Sequence, residues 1–163
     1  MSLSAKQKPS PLRLTVFLAA LLLAGAWIPE RITVTITPSL KNRIYLLDRA
    51  PSFNQMENGA FVLFELNSKY LEGAKTNKVL KQVACSEGDT LSVREKYYYC
   101  NETYLGQAKD YSLKGETLQN FKFEGQIPKD SLFVFSNHID SFDSRYFGFV
   151  RKENVIAIAH PIF

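Results

Sequence analysis

Histidine and cysteine are scarce in this chain, two of each among 163 residues. Two cysteines cannot build the disulfide framework of a small secreted scaffold. Two histidines, with no HExxH or CxxC spacing, are a thin supply for a metal site. No pattern sets His138 or His160 beside a serine in the manner of a chymotrypsin-like triad, so neither is singled out as a base. Concentrated charge is lacking too. The net charge is +4 and the basic residues are scattered rather than gathered in a stripe, which argues against a nucleic-acid partner. Internal repeats and low-complexity tracts are absent, and the length suits one domain with a real core. Nothing here calls for a cofactor.

What the chain does have begins near residue 6. Lys6, Lys8 and Arg13 precede LTVFLAALLLAGAWI, fifteen uncharged residues from Leu14 to Ile28. As a helix this run spans about 22 Å, against about 30 Å for a hydrocarbon core. Leu12 and a snorkelling Arg13 extend it, Trp27 is placed as an interfacial anchor, and Pro29 ends it. Two readings stay open: a retained signal anchor, or a signal peptide removed at Ala24-Gly25-Ala26. Either way, residues 1–30 form a cytosolic N-terminus and membrane segment, and residues 31–163 form a domain across the membrane. In an oxidising compartment Cys85 and Cys100, fifteen apart, can close a loop worth about 3 kcal/mol.

From residue 31 onward alternation replaces helical periodicity. ITVTI (32–36) alternates strictly, and AFVLFEL (60–66) is an apolar run of strand length. KVLKQVAC (78–85), TLSV (90–93), KYYY (96–99), SLFVF (131–135), YFGFV (146–150) and NVIAIA (154–159) follow, with turn signals between them. Only NSKYLEGA (67–74) is compatible with a helix, as an excursion between strands. The expected fold is mainly β, a membrane helix followed by a compact, mostly antiparallel β domain.

With metal and histidine chemistry set aside, a serine with a lysine base remains as a route to peptide hydrolysis. It needs a lysine deprived of its proton by burial. Lys81 shares one strand face with Val79 and Val83, which would aim it at an apolar interior. A solvent-facing strand lysine fits that local pattern as well, just as Ser39 in TPSL (37–40) fits an ordinary turn.

Four stretches, in order, resemble the type I signal peptidase superfamily of serine–lysine peptidases. They are TITPSL (35–40) soon after the membrane segment, KQVACSEGD (81–89), GQIPKDSLFVF (125–135) and SFDSRYFGFV (141–150). The last is the most specific, a Ser-x-Asp-Ser-Arg core followed by aromatics and glycine. The resemblance implies Ser39 as nucleophile and Lys81 as general base. It implies Thr37 as a hydroxyl assisting the oxyanion, Ser141 as the group orienting the lysine, and Asp143 with Arg145 as a salt-bridged support. Leu40 directly after the serine, Tyr45 six residues beyond it, and CNETYLGQA (100–108) are similar to the conjugative-transfer, TraF-type branch. That branch implies an inner-membrane enzyme facing the periplasm, acting on a preprotein such as a pro-pilin beside type IV secretion components. A housekeeping signal peptidase and a non-catalytic β scaffold of the secretion apparatus remain the alternatives. The chain departs from the family pattern at Glu87, at Ser136-Asn137-His138, and at Lys41 and Arg43.

Overall fold

A computed structural model describes residues 10–35, 40–68 and 77–163. Thr37 and Ser39, and most of the 67–74 segment, lie outside the described residues. Helix α1 (Pro11–Arg31) leads directly into β1 (Ile32–Val34). Leu14, Val16, Phe17, Leu18 and Leu21 on α1 are all exposed, and among the described residues no helix is long and apolar enough to cross a membrane.

Among the described residues, the remainder is chiefly two antiparallel sheets. The larger has seven strands in the order β1, β2 (Ile44–Asp48), β11 (Val155–Pro161), β3 (Phe61–Glu65), β4 (Lys78–Ser86), β9 (Ser131–Phe135), β10 (Val150–Arg151). The smaller has four, in the order β7 (Thr103–Gln107), β6 (Tyr97–Cys100), β5 (Thr90–Arg94), β8 (Glu124–Gln126). Three apolar clusters fill the interior. Val62, Phe64, Val83, Leu132 and Val134 form one, with Met56 and Ile158. Cys85, Leu91, Tyr98, Phe133 and Phe135 form the second, where the two sheets meet. Tyr45, Leu47, Leu63, Ala157 and Ala159 form the third.

Strand β4 belongs to two of these clusters because of one irregularity. Val83 pairs with Val134, but Cys85 pairs with Phe133, so Ala84 is an extra residue on the β4 side. Directly paired residues point the same way, and Val134 and Phe133 point to opposite faces. The bulge therefore sends Val83 into the first cluster and Cys85 into the second. There Cys85 is disulfide-bonded to Cys100 of β6, tying the large sheet to the small one.

Two features differ from the expected strands. The 146–150 stretch is not one strand: Ser144–Phe147 form a helical turn, α2, and only Val150 and Arg151 pair with β9. Asp143 caps that turn by accepting from the Arg145 backbone N–H, and Gly148 at φ 79° reverses the chain after it. Three strands, β2, β7 and β8, carry no apolar–polar alternation in their sequences IYLLD, TYLGQ and EGQ and are not among the expected strands.

Candidate active site

Strand β4 brings Lys81 into the interior. Its register sets Val79 opposite Phe64 and Lys81 opposite Val62, so the lysine lies on the face of the first apolar cluster. Only 4 % of Lys81 is exposed. Its Nζ donates to Ser141 Oγ at 2.6 Å, across sixty residues of sequence. Among the described residues no carboxylate is paired with this ammonium. Burial, the largest cause, pushes the Lys81 pKa below its ordinary value. The negative charge of Asp143 opposes that shift, and Arg145 adds to it.

Ser141 is itself held from behind. Its backbone N–H donates to the His138 carbonyl at 3.0 Å, closing a turn after β9. Its carbonyl accepts from Arg145 Nη2 at 3.3 Å. Arg145 is buried and paired with Asp143 through Nε to Oδ1 and Nη2 to Oδ2, both at 2.8 Å. Asp143 Oδ2 also accepts the backbone N–H of Ser136, and Arg145 Nη1 donates to the Gln107 carbonyl at 2.7 Å. Burial alone would lower the Arg145 pKa, but its bonds to Asp143 outweigh that and hold it above the ordinary value. The pair is thus a fork-to-fork contact with further guanidinium donors to the Gln107 and Ser141 carbonyls, which is the form in which a buried ion pair is tolerated.

Several supporting groups are not apparent in the local sequence. The Arg145 guanidinium lies 4.7 Å from the centre of the Phe135 ring. Gly106 leaves room for that ring: a Cβ there would come within 2.7 Å of it. Tyr98 of β6 sets its hydroxyl 2.6 Å from the Phe121 carbonyl and 2.9 Å from that of Arg145. Burial raises its pKa, so it stays a neutral donor. Ser144 accepts the Val134 backbone N–H, fastening α2 to β9. The glycine of CNETYLGQA was the one visible hint of this layer.

Of the residues singled out beforehand, Lys81, Ser141, Asp143 and Arg145 converge in one buried cluster, and Cys85 and Cys100 bond to each other. Thr37 and Ser39 fall outside the described residues. On either side of them, Thr35 donates its backbone N–H to the Arg43 carbonyl, and Leu40 packs against the cluster containing Leu63. Tyr45 is fully buried, its ring 5.2 Å from Phe61.

A buried lysine of lowered pKa, bonded to one hydroxyl and backed by an internally neutralised ion pair, is the arrangement a general base requires. Residues 11–163 match the family described as signal peptidase, peptidase S26. The chain belongs to that family. It is 28 % identical to signal peptidase I V of Bacillus subtilis (strain 168) over 98 residues, which are 53 % of this chain and 58 % of that protein. The chain thus spans under two thirds of that relative's length. A signal peptidase I from Enterococcus faecalis V583 aligns over 63 % of this chain and 94 % of its own, at 24 % identity and a TM-score of 0.40, too low to carry weight.

Proposed function

We propose that this protein is a membrane-anchored serine endopeptidase that cleaves preproteins with Ser39 as nucleophile and Lys81 as general base. The observation that carries this reading is the buried Lys81–Ser141 contact in a member of the signal peptidase family. A neutral Lys81 amine takes the Ser39 hydroxyl proton as the oxygen attacks the scissile carbonyl. The tetrahedral oxyanion is met by the Ser39 backbone N–H and the Thr37 hydroxyl. Lysine then returns the proton to the leaving amine, and water resolves the acyl-enzyme by the same route in reverse. Ser141 acts on Lys81 alone, holding its lone pair in one direction, and Asp143 with Arg145 fixes Ser141.

Residues 1–30 would serve as anchor and residues 31–163 as the catalytic domain on the outer face of a bacterial inner membrane. The exposed apolar side chains along α1 support the anchor. The preprotein is the expected partner, cleaved after small residues near the membrane surface. Leu40 and Tyr45 further favour pro-pilin as the substrate, within a conjugative type IV secretion apparatus.

The test is Ser39→Ala in the full chain, assayed on a preprotein in vesicles. Cleavage should be lost while the protein remains folded, whereas undiminished cleavage by this variant removes the dyad. Mass spectrometry of mature pilin from cells with and without the protein separates the two substrate readings. An unprocessed pilin in its absence supports the conjugative role, and a general accumulation of uncleaved exported proteins supports the housekeeping one.

A further inference from the structure

The frame that aims Lys81 is divided between the two sheets. The large sheet supplies Lys81 itself on β4, and the Phe135 ring of β9 beneath the Arg145 guanidinium. The Ser136 N–H that Asp143 accepts at 3.2 Å follows directly on β9. The small sheet supplies the Gln107 carbonyl of β7, which accepts from Arg145 Nη1 at 2.7 Å. It also supplies the Tyr98 hydroxyl of β6, 2.9 Å from the Arg145 carbonyl. Arg145 is therefore anchored to both sheets, and Ser141 follows it through the carbonyl that accepts from Arg145 Nη2. Any slip between the sheets reaches the hydroxyl that holds Lys81.

Among the described residues no strand ladder joins the two sheets. Their joint is the second apolar cluster and the Cys85–Cys100 disulfide. The bond sits where the frame needs it. Cys85 lies four residues beyond Lys81 on β4, and Cys100 two residues beyond Tyr98 on β6. Cys85 pairs with Phe133, whose ring stacks on Tyr98 with centroids 5.7 Å apart. The first and third clusters contain neither cysteine, so opening the bond leaves the core of the large sheet in place. The loss falls on the joint. Asp89 keeps the two thiols within reach of each other: it accepts the N–H of Ser86 at 2.9 Å and the amide of Asn101 at 2.7 Å, the residues directly after Cys85 and Cys100.

We infer that the Cys85–Cys100 disulfide is an activating latch, which sets the frame around Lys81 when it closes and leaves it loose while both cysteines are thiols. The inference rests on the peptidase reading above and adds to it a control by redox environment. Closing is thiol–disulfide exchange. The thiolate of one cysteine attacks a small or protein disulfide and releases one thiol, and the second cysteine then displaces the other. Two electrons and two protons pass from the cysteines to the oxidant, which ends as two thiols. Such oxidants prevail outside the cytosol and are opposed within it. A chain still facing the cytosol is thereby idle, and one whose domain has crossed the membrane is active.

The full chain is purified in detergent under a phosphine reductant, and half of it is then treated with oxidised glutathione. Alkylation and mass spectrometry count the thiols. The oxidised form should cleave a preprotein with kcat about tenfold or more above the reduced form, and KM within about threefold. The readout that a merely structural bond would not move is the titration of Lys81, followed by 13C at Cε. In the reduced form it should lie closer to the ordinary 10.5, because a loosened joint admits water to the amine. Cys85→Ala combined with Cys100→Ala should match the reduced form in both buffers. Equal kcat and equal Lys81 titration in the two forms overturn the latch and leave the peptidase standing. A double variant that matches oxidised wild type does the same, as does a bond that oxidised glutathione fails to close. Unfolding of the reduced form, seen in far-ultraviolet circular dichroism, also overturns it, since the bond then supports the whole domain. Absence of Ser39-dependent cleavage in oxidised wild type overturns the peptidase reading instead, and the Lys81 titration still decides the latch.

Discussion

Two lysines meet the 138–141 turn, and they meet it in opposite ways. Lys109 comes from the surface and bridges to the carboxylate of Asp140, with about a third of its side chain in water. Lys81 comes from inside β4 and finds the hydroxyl of Ser141, with 4 % of the residue exposed. The first has an anion for a partner and water at hand. The second is stripped of hydration and given a partner that carries no charge. The nearby anion that could have compensated it, Asp143, is already committed to Arg145 through two 2.8 Å bonds. What its surroundings withhold lowers the Lys81 pKa, and two adjacent residues of one turn hold the two lysines in these opposite settings.

The contrast is broken most severely by removing the inner lysine. Lys81→Met should lower cleavage by about a thousandfold or more, the loss expected of a missing general base. Steady-state kinetics on a preprotein checks this. Stability carries a second signature, in its dependence on pH. Since burial lowers the Lys81 pKa, the unfolded chain binds the extra proton between the folded value and the ordinary 10.5. Wild-type stability should therefore rise with pH through that window and level off above 10.5. Denaturation curves for Lys81→Met should lack this increment.

Asp143→Asn comes next. It leaves Arg145 buried beside a neutral amide and should cost about 3–5 kcal/mol in urea unfolding. It also removes the negative charge that opposes the lowering of the lysine pKa. Among variants that still fold, the alkaline rise of the rate should shift to lower pH.

Ser141→Ala should reduce kcat by about ten- to a hundredfold with KM little changed, the effect of a misdirected base. Smallest of all, Lys109→Met should leave the melting temperature within about 2 °C of wild type, because exposed pairs contribute little. A large loss of stability there would erase the distinction between the two lysines.

The strand content of the molecule could be read from residues such as 32–36, 60–66 and 131–135, where alternation or an unbroken apolar run leaves little choice. For Lys81 the same strand pattern left a buried and a solvent-facing reading open, and the pairing of β4 with β3 turns it inward. What local pattern does not contain is the bulge at Ala84, since Val83-Ala84-Cys85 is an unbroken apolar run that marks no side. The bulge is imposed by pairing with β9, some fifty residues away, and it alone explains why Cys85 faces Cys100 while Val83 faces the other core. The turn at 144–147 was hidden by its own aromatics, which read as strand until Asp143 is seen capping it. Gly106 and Tyr98 matter only because Phe135 and the Arg145 carbonyl arrive beside them from distant strands. The polar stretch from Ser141 to Arg145 attracts attention as an active site in sequence. In the fold it is chiefly the frame around a lysine that sequence alone leaves inconspicuous.

The central claim is that burial holds the Lys81 pKa below its ordinary value. Its titration can be followed directly by NMR of lysine labelled with 13C at Cε, with Lys81→Met identifying the signal. The account predicts a Lys81 resonance that titrates below 10.5. A Lys81 signal that titrates at 10.5 or above would contradict it.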